Sequence, residues 1–222
     1  MLVEEQVPDS PYVCLKWRAL ADHAGVHLGV AMEYWTFFFR QEGGKTQVII
    51  GAPHAQMLPL PYQAGGAYWG VLLKAHLFMP LLSKHAIPKE GVQLPVQKGY
   101  ILIAGQKIPL PSYENTEKFI EDLVHKKIIV ANPLVEKALS GTPTFSERTV
   151  QRHVLQIAGL TRRELAMIRR ARRAFVLLQT GRTIAEVVAE AGYTDQSHLT
   201  KSLKLLAGQT PGQILAAYAQ QD

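Results

Sequence analysis

A single cysteine, Cys14, stands among the 222 residues. No disulfide can form within the chain, and a cysteine-rich metal site is excluded. No run of about 18 apolar residues occurs, which argues against a membrane-spanning helix. The opening stretch has Glu4 and Glu5 and no basic residue ahead of an apolar segment, so a secretory signal is not expected. A Gly-x-Ser-x-Gly elbow, a phosphate-binding loop and a dinucleotide fingerprint are all missing. His23, His27 and His54 do not form a His-x-His pattern followed by a glutamate, so they read as surface or core histidines. These absences predict a soluble, cytoplasmic, non-membrane protein that is not an enzyme, with no cofactor and no metal.

What is present is unevenly distributed. The chain carries 24 Lys and Arg against 18 Asp and Glu, a formal charge of +6. Eleven of those basic residues and six of the acids lie from residue 145 onward; thirteen and twelve lie before it. Almost all the surplus positive charge is therefore in the last third, where a phosphate backbone could use it through counterion release.

The secondary-structure signals change along the chain as well. Residues 1–112 are rich in β-branched and aromatic residues, glycine and proline. Val26–Phe39, Thr46–Ile50, Ala67–Leu73 and Gly99–Ile108 read as strands. The run Tyr34 to Phe39 is apolar on both faces, which predicts a strand buried on both sides. A short helix is expected over His76–Lys84, and a longer one over Glu114–Lys127 with Phe119, Ile120, Leu123 and Val124 inward.

Beyond residue 131 every apolar run has helical spacing and the stops are strong. Asn132-Pro133 opens a helix through Leu139, which Ser140 to Pro143 ends. Ser146 starts a helix to about Ala158, closed by Gly159. Thr161 and Glu164 form a capping-box pair for a helix to Gln179, with Leu165, Ile168, Ala171, Phe175 and Leu178 as its core stripe. Thr183 and Glu186 are a second such pair, Asp195 caps a helix over Gln196–Ala207, and Thr210 with Gln213 starts a terminal helix.

The segment Thr183 to Ala207 has the order of a helix-turn-helix: a short helix, Gly192 at a tight turn, then a second helix. Ala185 and Ala189 would permit close crossing, and Leu199 and Leu203 would face inward. Gln196, Ser197, Thr200, Lys201 and Lys204 then share the outer face, at spacings suited to base edges and phosphates.

The surrounding phrase is more specific. Ile168-Arg169-Arg170-Ala171-Arg172-Arg173-Ala174, Leu177-Leu178 before Gly181, Ile184-Ala185-Glu186-Val187, Gly192-Tyr193 before Asp195-Gln196-Ser197-His198-Leu199, and Gly208-Gln209-Thr210-Pro211 together resemble the AraC family of bacterial transcription regulators. Phe145 to Arg152, followed by Gly159-Leu160-Thr161, resembles that family's first recognition helix. The resemblance covers roughly residues 133–216. The β-rich first part resembles, less specifically, the sensing or dimerising domains of such regulators.

The resemblance implies an α+β chain: a β-rich, barrel-like domain with flanking helices over 1–112, a connecting helix or linker over 113–131, and an all-α DNA-binding domain over 132–222. In that last domain two helix-turn-helix units are joined by a long helix. Recognition helices at about 146–158 and 196–207 would enter successive major grooves. A connecting helix of about 18 residues spans about 27 Å, comparable with the roughly 34 Å between groove turns.

Carried over position by position, the reading residues are Arg148, Gln151 and Arg152 in the first helix and Gln196, Ser197, Thr200, Lys201 and Lys204 in the second. Arginine suits guanine, and glutamine suits adenine. The segment Ser140 to Phe145 departs from the family's tight turn, so the first reader is expected either to sit differently on DNA or to contribute mainly phosphate contacts.

Double-stranded DNA is the implied partner, with a small-molecule effector, RNA polymerase and a second copy of the chain (a homodimer) as further ones. Tyr34, Trp35, Phe37 and Trp69 are candidates to line an effector pocket; core packing explains them equally well. Arg169 to Arg173 reads first as a solvated or ion-paired helix face, with at least one arginine as an anchor. His198 reads as a packing residue near the turn. The competing class is an enzyme or small-molecule-binding protein whose helical part is an accessory module; a dimerising domain without a ligand is a third reading.

Overall fold

The computed structural model describes residues 2–82, 87–88, 90–139 and 146–219. The chain is a mixed α+β protein, β-rich first and helical after. Thirteen strands and seven helices occur among the described residues.

Six strands form the main antiparallel sheet: β1 (Leu2–Gln6), β2 (Val13–Leu20), β4 (Thr36–Glu42), β5 (Lys45–Gly51), β7 (Ala67–Leu73) and β9 (Val92–Leu94), in the order β1-β2-β7-β4-β5-β9. Its two edges, β1 and β9, are not joined to each other, so the sheet stays open and the barrel-like expectation holds only loosely. Three smaller sheets accompany it. β3 (Gly25–Gly29) pairs with β6 (Leu58–Tyr62), β8 (Leu77–Phe78) with β13 (Val130–Ala131), and β10 (Val96–Gln97), β11 (Tyr100–Ile103) and β12 (Gln106–Pro109) form a meander.

One face of the main sheet holds the core. Trp35, Phe37 and Phe39 alternate inward from the start of β4, joined by Val48, Ile50, Val71 and Leu73. Helix α1 (Thr116–His125) covers this face with Phe119, Ile120 and Leu123, all buried at helical spacing. The Phe119 ring meets Phe37 and Phe39 edge-on, at 5.4 and 6.0 Å between centroids. On the other face Phe38 is only half-buried, stacked between Trp17 and Tyr68. The double burial expected for Tyr34 to Phe39 is thus corrected: one face is core and the other is partly open.

Three further expectations change. Val26–Phe39 is two strands rather than one, because β3 pairs with β6 while β4 lies in the main sheet; Met32, between them, bridges to His54. Gly99–Ile108 is a hairpin, β11 and β12, turning at Ala104 and Gly105, both of positive φ. The helix expected over His76–Lys84 is absent over its described part. Leu77 and Phe78 instead pair with Ala131 and Val130, a remote partner that local spacing cannot reveal; Ser83 and Lys84 lie outside the described residues.

The helical part follows its stop signals. It comprises α2 (Pro133–Leu139), α3 (Glu147–Ala158), α4 (Arg162–Gln179), α5 (Ile184–Glu190), α6 (Gln196–Ala207) and α7 (Pro211–Tyr218). Thr161 with Glu164, Thr183 with Glu186 and Thr210 with Gln213 are reciprocal capping boxes. Helix α4 buries Ile168, Ala171, Ala174 and Leu178, while Leu165 and Phe175 of the expected stripe are half-buried.

By compactness the chain forms two units. One contains residues 1–26, 34–53 and 61–159; the other contains 27–33, 54–60 and 160–222. Helix α3 falls in the first, and two short pieces of the β-rich half fall in the second.

Candidate nucleic-acid interface

The second candidate reader is built from α5, a turn and α6. Thr183 Oγ1 accepts from the Glu186 amide and the Glu186 carboxylate accepts from the Thr183 amide (3.3 and 2.8 Å), satisfying two donors at the start of α5. The Thr183 hydroxyl and then its amide, both donating to the Glu186 carboxylate, hold that carboxyl below its ordinary pKa. Val187 is the fully buried residue of α5. Ala185 and Ala189, expected to permit close crossing, are exposed, and the buried residue of this short helix is Val187.

Gly192 then takes φ +72°, a left-handed conformation that glycine adopts without steric cost. Asp195 caps α6 by accepting from the His198 amide at 2.8 Å. Leu199 and Leu203 are fully buried, as their spacing predicts. Tyr193 is buried under α6, its hydroxyl 3.0 Å from Ser202 Oγ.

With its inner face fixed in this way, α6 turns Gln196, Ser197, Lys201 and Lys204 to solvent, with Thr200 half-buried at their edge. Ser197, Thr200, Lys201 and Lys204 follow i, i+3, i+4, i+7 spacing and so share one face. That face offers hydroxyl and ammonium groups, with the exposed Gln196 amide beside it at the start of the helix, the types that read base edges and neutralise phosphates. His198 is taken up in packing: its Nδ1 lies 3.1 Å from Thr194 Oγ1 and its ring meets Tyr193 edge-on at 5.1 Å.

The arginine run on α4 divides in two. Arg169 pairs with buried Glu33 at 2.7 Å. The Arg170 guanidinium lies 4.9 Å from the Tyr193 ring centroid and donates to the Gly192 carbonyl at 3.4 Å, tying α4 to the turn. Arg172 and Arg173 are exposed. The partners of Arg169 and Arg170 are remote in sequence and carry no local pattern. One signal was present: Glu33 is a lone acid in the otherwise uncharged run Val30 to Phe39.

The first candidate reader is α3. Ser146 caps it through the Thr149 amide at 3.3 Å, and Gly159 closes it at φ +67°. Arg148, Gln151 and Arg152 are exposed and lie together at i, i+3, i+4. Ile157 and Ala158 are buried, and the Trp35 indole N–H donates to the Ile157 carbonyl at 3.0 Å. The Asn132 amide meets His153 Nδ1 at 3.1 Å and its carbonyl oxygen caps α2. The connection Ser140 to Phe145, singled out for its Gly and Pro content, lies outside the described residues.

Of the four aromatics named for an effector pocket, Trp35 and Phe37 are core residues, and Trp35 is committed to α3. Trp69 stacks on Phe39 at 5.1 Å, and its buried Nε1 has no hydrogen-bond partner among the described residues. Tyr34 is half-buried.

The sequence model for a helix-turn-helix domain matches residues 144–217, which take in α3 to α7. The C-terminal region thus carries a helix-turn-helix domain. No curated protein matches the chain. Among solved structures, the chain is similar to ToxT from Vibrio cholerae, at 12% identity over 96% of this chain and 98% of ToxT, with a TM-score of 0.46. ToxT bound to (E)-4-(8-methylnaphthalen-1-yl)but-3-enoic acid is 11% identical over 97% and 99%, with a TM-score of 0.46. No helix of the described residues is long and apolar enough to cross a membrane, and no cluster of metal-ligating side chains occurs among them.

Proposed function

We propose that the chain is a sequence-specific, effector-responsive transcription regulator that carries out no catalysis. Residues 132–222 read DNA, residues 1–112 sense a small molecule or join two copies, and 113–131 connect them. The observation that carries this reading is the outer face of α6, where Gln196, Ser197, Thr200, Lys201 and Lys204 surround a helix whose opposite face is locked by Leu199 and Leu203. Helix α3 supplies Arg148, Gln151 and Arg152 to the preceding groove. The surplus of basic charge after residue 145 supports both assignments. For an effector, the unpartnered Trp69 N–H beside Phe39 is a donor that a polar ligand group would satisfy.

The test is selection of bound duplexes from genomic DNA, followed by titration at several salt concentrations. Gln196→Ala should relax the preference at one base pair by about 1–3 kcal/mol, and Lys201→Ala should lower the salt slope by about one. Binding no tighter than to random duplex, with every effector tried, would sink the proposal.

A further inference from the structure

Helix α6 is closed by a part of the chain far from it in sequence. The last carbonyls of a helix have no partner within it. In α6, Gly208 takes one, donating to the Lys204 carbonyl at 3.1 Å. The next two are taken from outside: Met57 donates to the Leu205 carbonyl at 3.1 Å, and Ala31 to the Leu206 carbonyl at 2.7 Å. Met32 and His54 exchange both backbone bonds, at 2.9 and 2.8 Å, so these two donors sit on one two-stranded strap. The strap packs over the helix end: a Cβ placed at Gly208 would meet Met57 at 3.1 Å and Leu28 at 3.2 Å. Glu33, from the same strap, then pairs with Arg169 of α4 at 2.7 Å, with a Glu33 side chain only 5% exposed and Arg169 52% exposed.

We infer that residues 27–33 and 54–60 are a supporting part of the DNA reader, and that Glu33 is a positioning residue acting through Arg169. The strap holds the C-terminal end of α6 and leaves its outer face open, since Gln196, Ser197, Lys201 and Lys204 remain exposed. It is therefore a brace rather than a cover. Arg169 belongs to this brace and not to the phosphate contacts, although it sits in an arginine run that would suit them.

Only the DNA arm of the test rests on the regulator reading. The first arm is amide hydrogen exchange on the full chain. Glu33→Gln removes the ion pair and should speed exchange at the Ala31 and Met57 amides about tenfold or more. Arg169→Ala should do the same, Arg169→Lys should restore most of the protection, and the double variant should be no worse than Arg169→Ala. Met57→Ala, which thins the packing over Gly208 while keeping the charges, is the second route should Glu33→Gln fail to fold. It should speed exchange at the Ala31 amide.

The second arm is titration of a duplex selected from genomic DNA. A brace predicts that Glu33→Gln weakens binding several-fold with an unchanged salt slope. An Arg169 that contacts phosphate predicts the reverse: removing the nearby acid would leave binding unchanged or stronger, and Arg169→Ala would lower the slope by about one. Exchange at Ala31 and Met57 that is unmoved by Glu33→Gln, or tighter DNA binding by that variant, overturns the inference. If the wild type selects no duplex, the regulator reading fails and the exchange arm alone decides the strap.

Discussion

The two candidate reading helices, α3 and α6, have twelve residues each, and each ends at a left-handed glycine. They differ in what holds them. Helix α6 buries Leu199, Ser202, Leu203, Leu206 and Ala207, packs against α4, α5 and α7, and has its last carbonyls capped by the strap. Helix α3 buries Ile157 and Ala158 near its end and rests on α2, β8 and the Trp35 indole. The two helices present similar chemistry on frames that differ in their contacts among the described residues. A rigid helix can convert side-chain identity into base discrimination, because its donors and acceptors keep their geometry; a loosely held one contributes charge.

The largest expected effect tests the frames themselves. Leu199→Ala empties a fully buried site and should cost about 2–5 kcal/mol. Leu155→Ala, at the 44% exposed position of α3, should cost less than about 0.5 kcal/mol. Chemical denaturation of the two variants measures both. Equal losses would break the contrast between the helices.

Next comes DNA binding. Arg148→Ala and Arg152→Ala should each lower the salt slope by about one while leaving the ranking of duplex sequences intact. A changed base preference in either variant would show that α3 reads bases as α6 is proposed to do.

The ends of both helices are legible in the sequence because they are written locally: a capping side chain, an acid or amide three residues on, and a glycine at the close. The β-rich half is less legible. Leu77 and Phe78 look helical by spacing but are recruited by Val130 and Ala131. Strands β1, β2, β6 and β9 are not among the expected strands: Pro59 and Pro61 interrupt β6, β9 has only three residues, and pairing with remote partners supplies the stabilisation. The outward set on α6 is readable from period alone. The support behind it is not, because Glu33–Arg169 and Arg170–Tyr193 depend on distant segments meeting.

The frame of α3 should also respond to pH. Burial holds the His76 imidazole below its ordinary pKa of 6.5, against the opposing pull of Glu136 at 3.8 Å; Lys74 adds to the lowering. His76 accepts the Asn132 amide through its carbonyl, where α2 begins. Above pH 6.5 both folded and unfolded chains carry this group neutral. As pH falls through 6.5 the unfolded chain takes up the proton first, so stability declines until the folded value is reached and the loss is complete. Melting temperature should therefore drop on acidification below pH 6.5, and His76→Gln should flatten the curve. An unchanged curve in that variant would remove His76 from the account.

The smallest effect separates the helices through their caps. Ser146→Ala and Asp195→Ala remove the same kind of bond, from side-chain oxygen to a third-residue amide, and each should cost about 1 kcal/mol. Global stability will not tell them apart. Local exchange should, because the first turn of α6 is also held by Thr194 on His198 and by the His198 ring against Tyr193. The first turn of α3 has the Ser146–Thr149 hydroxyl contact, which is lost with the cap itself. Amides over Arg148 to Gln151 should therefore quicken in Ser146→Ala more than those over Ser197 to Thr200 do in Asp195→Ala. Equal quickening would mean that the cap, and not the surrounding frame, sets the order of each reading turn.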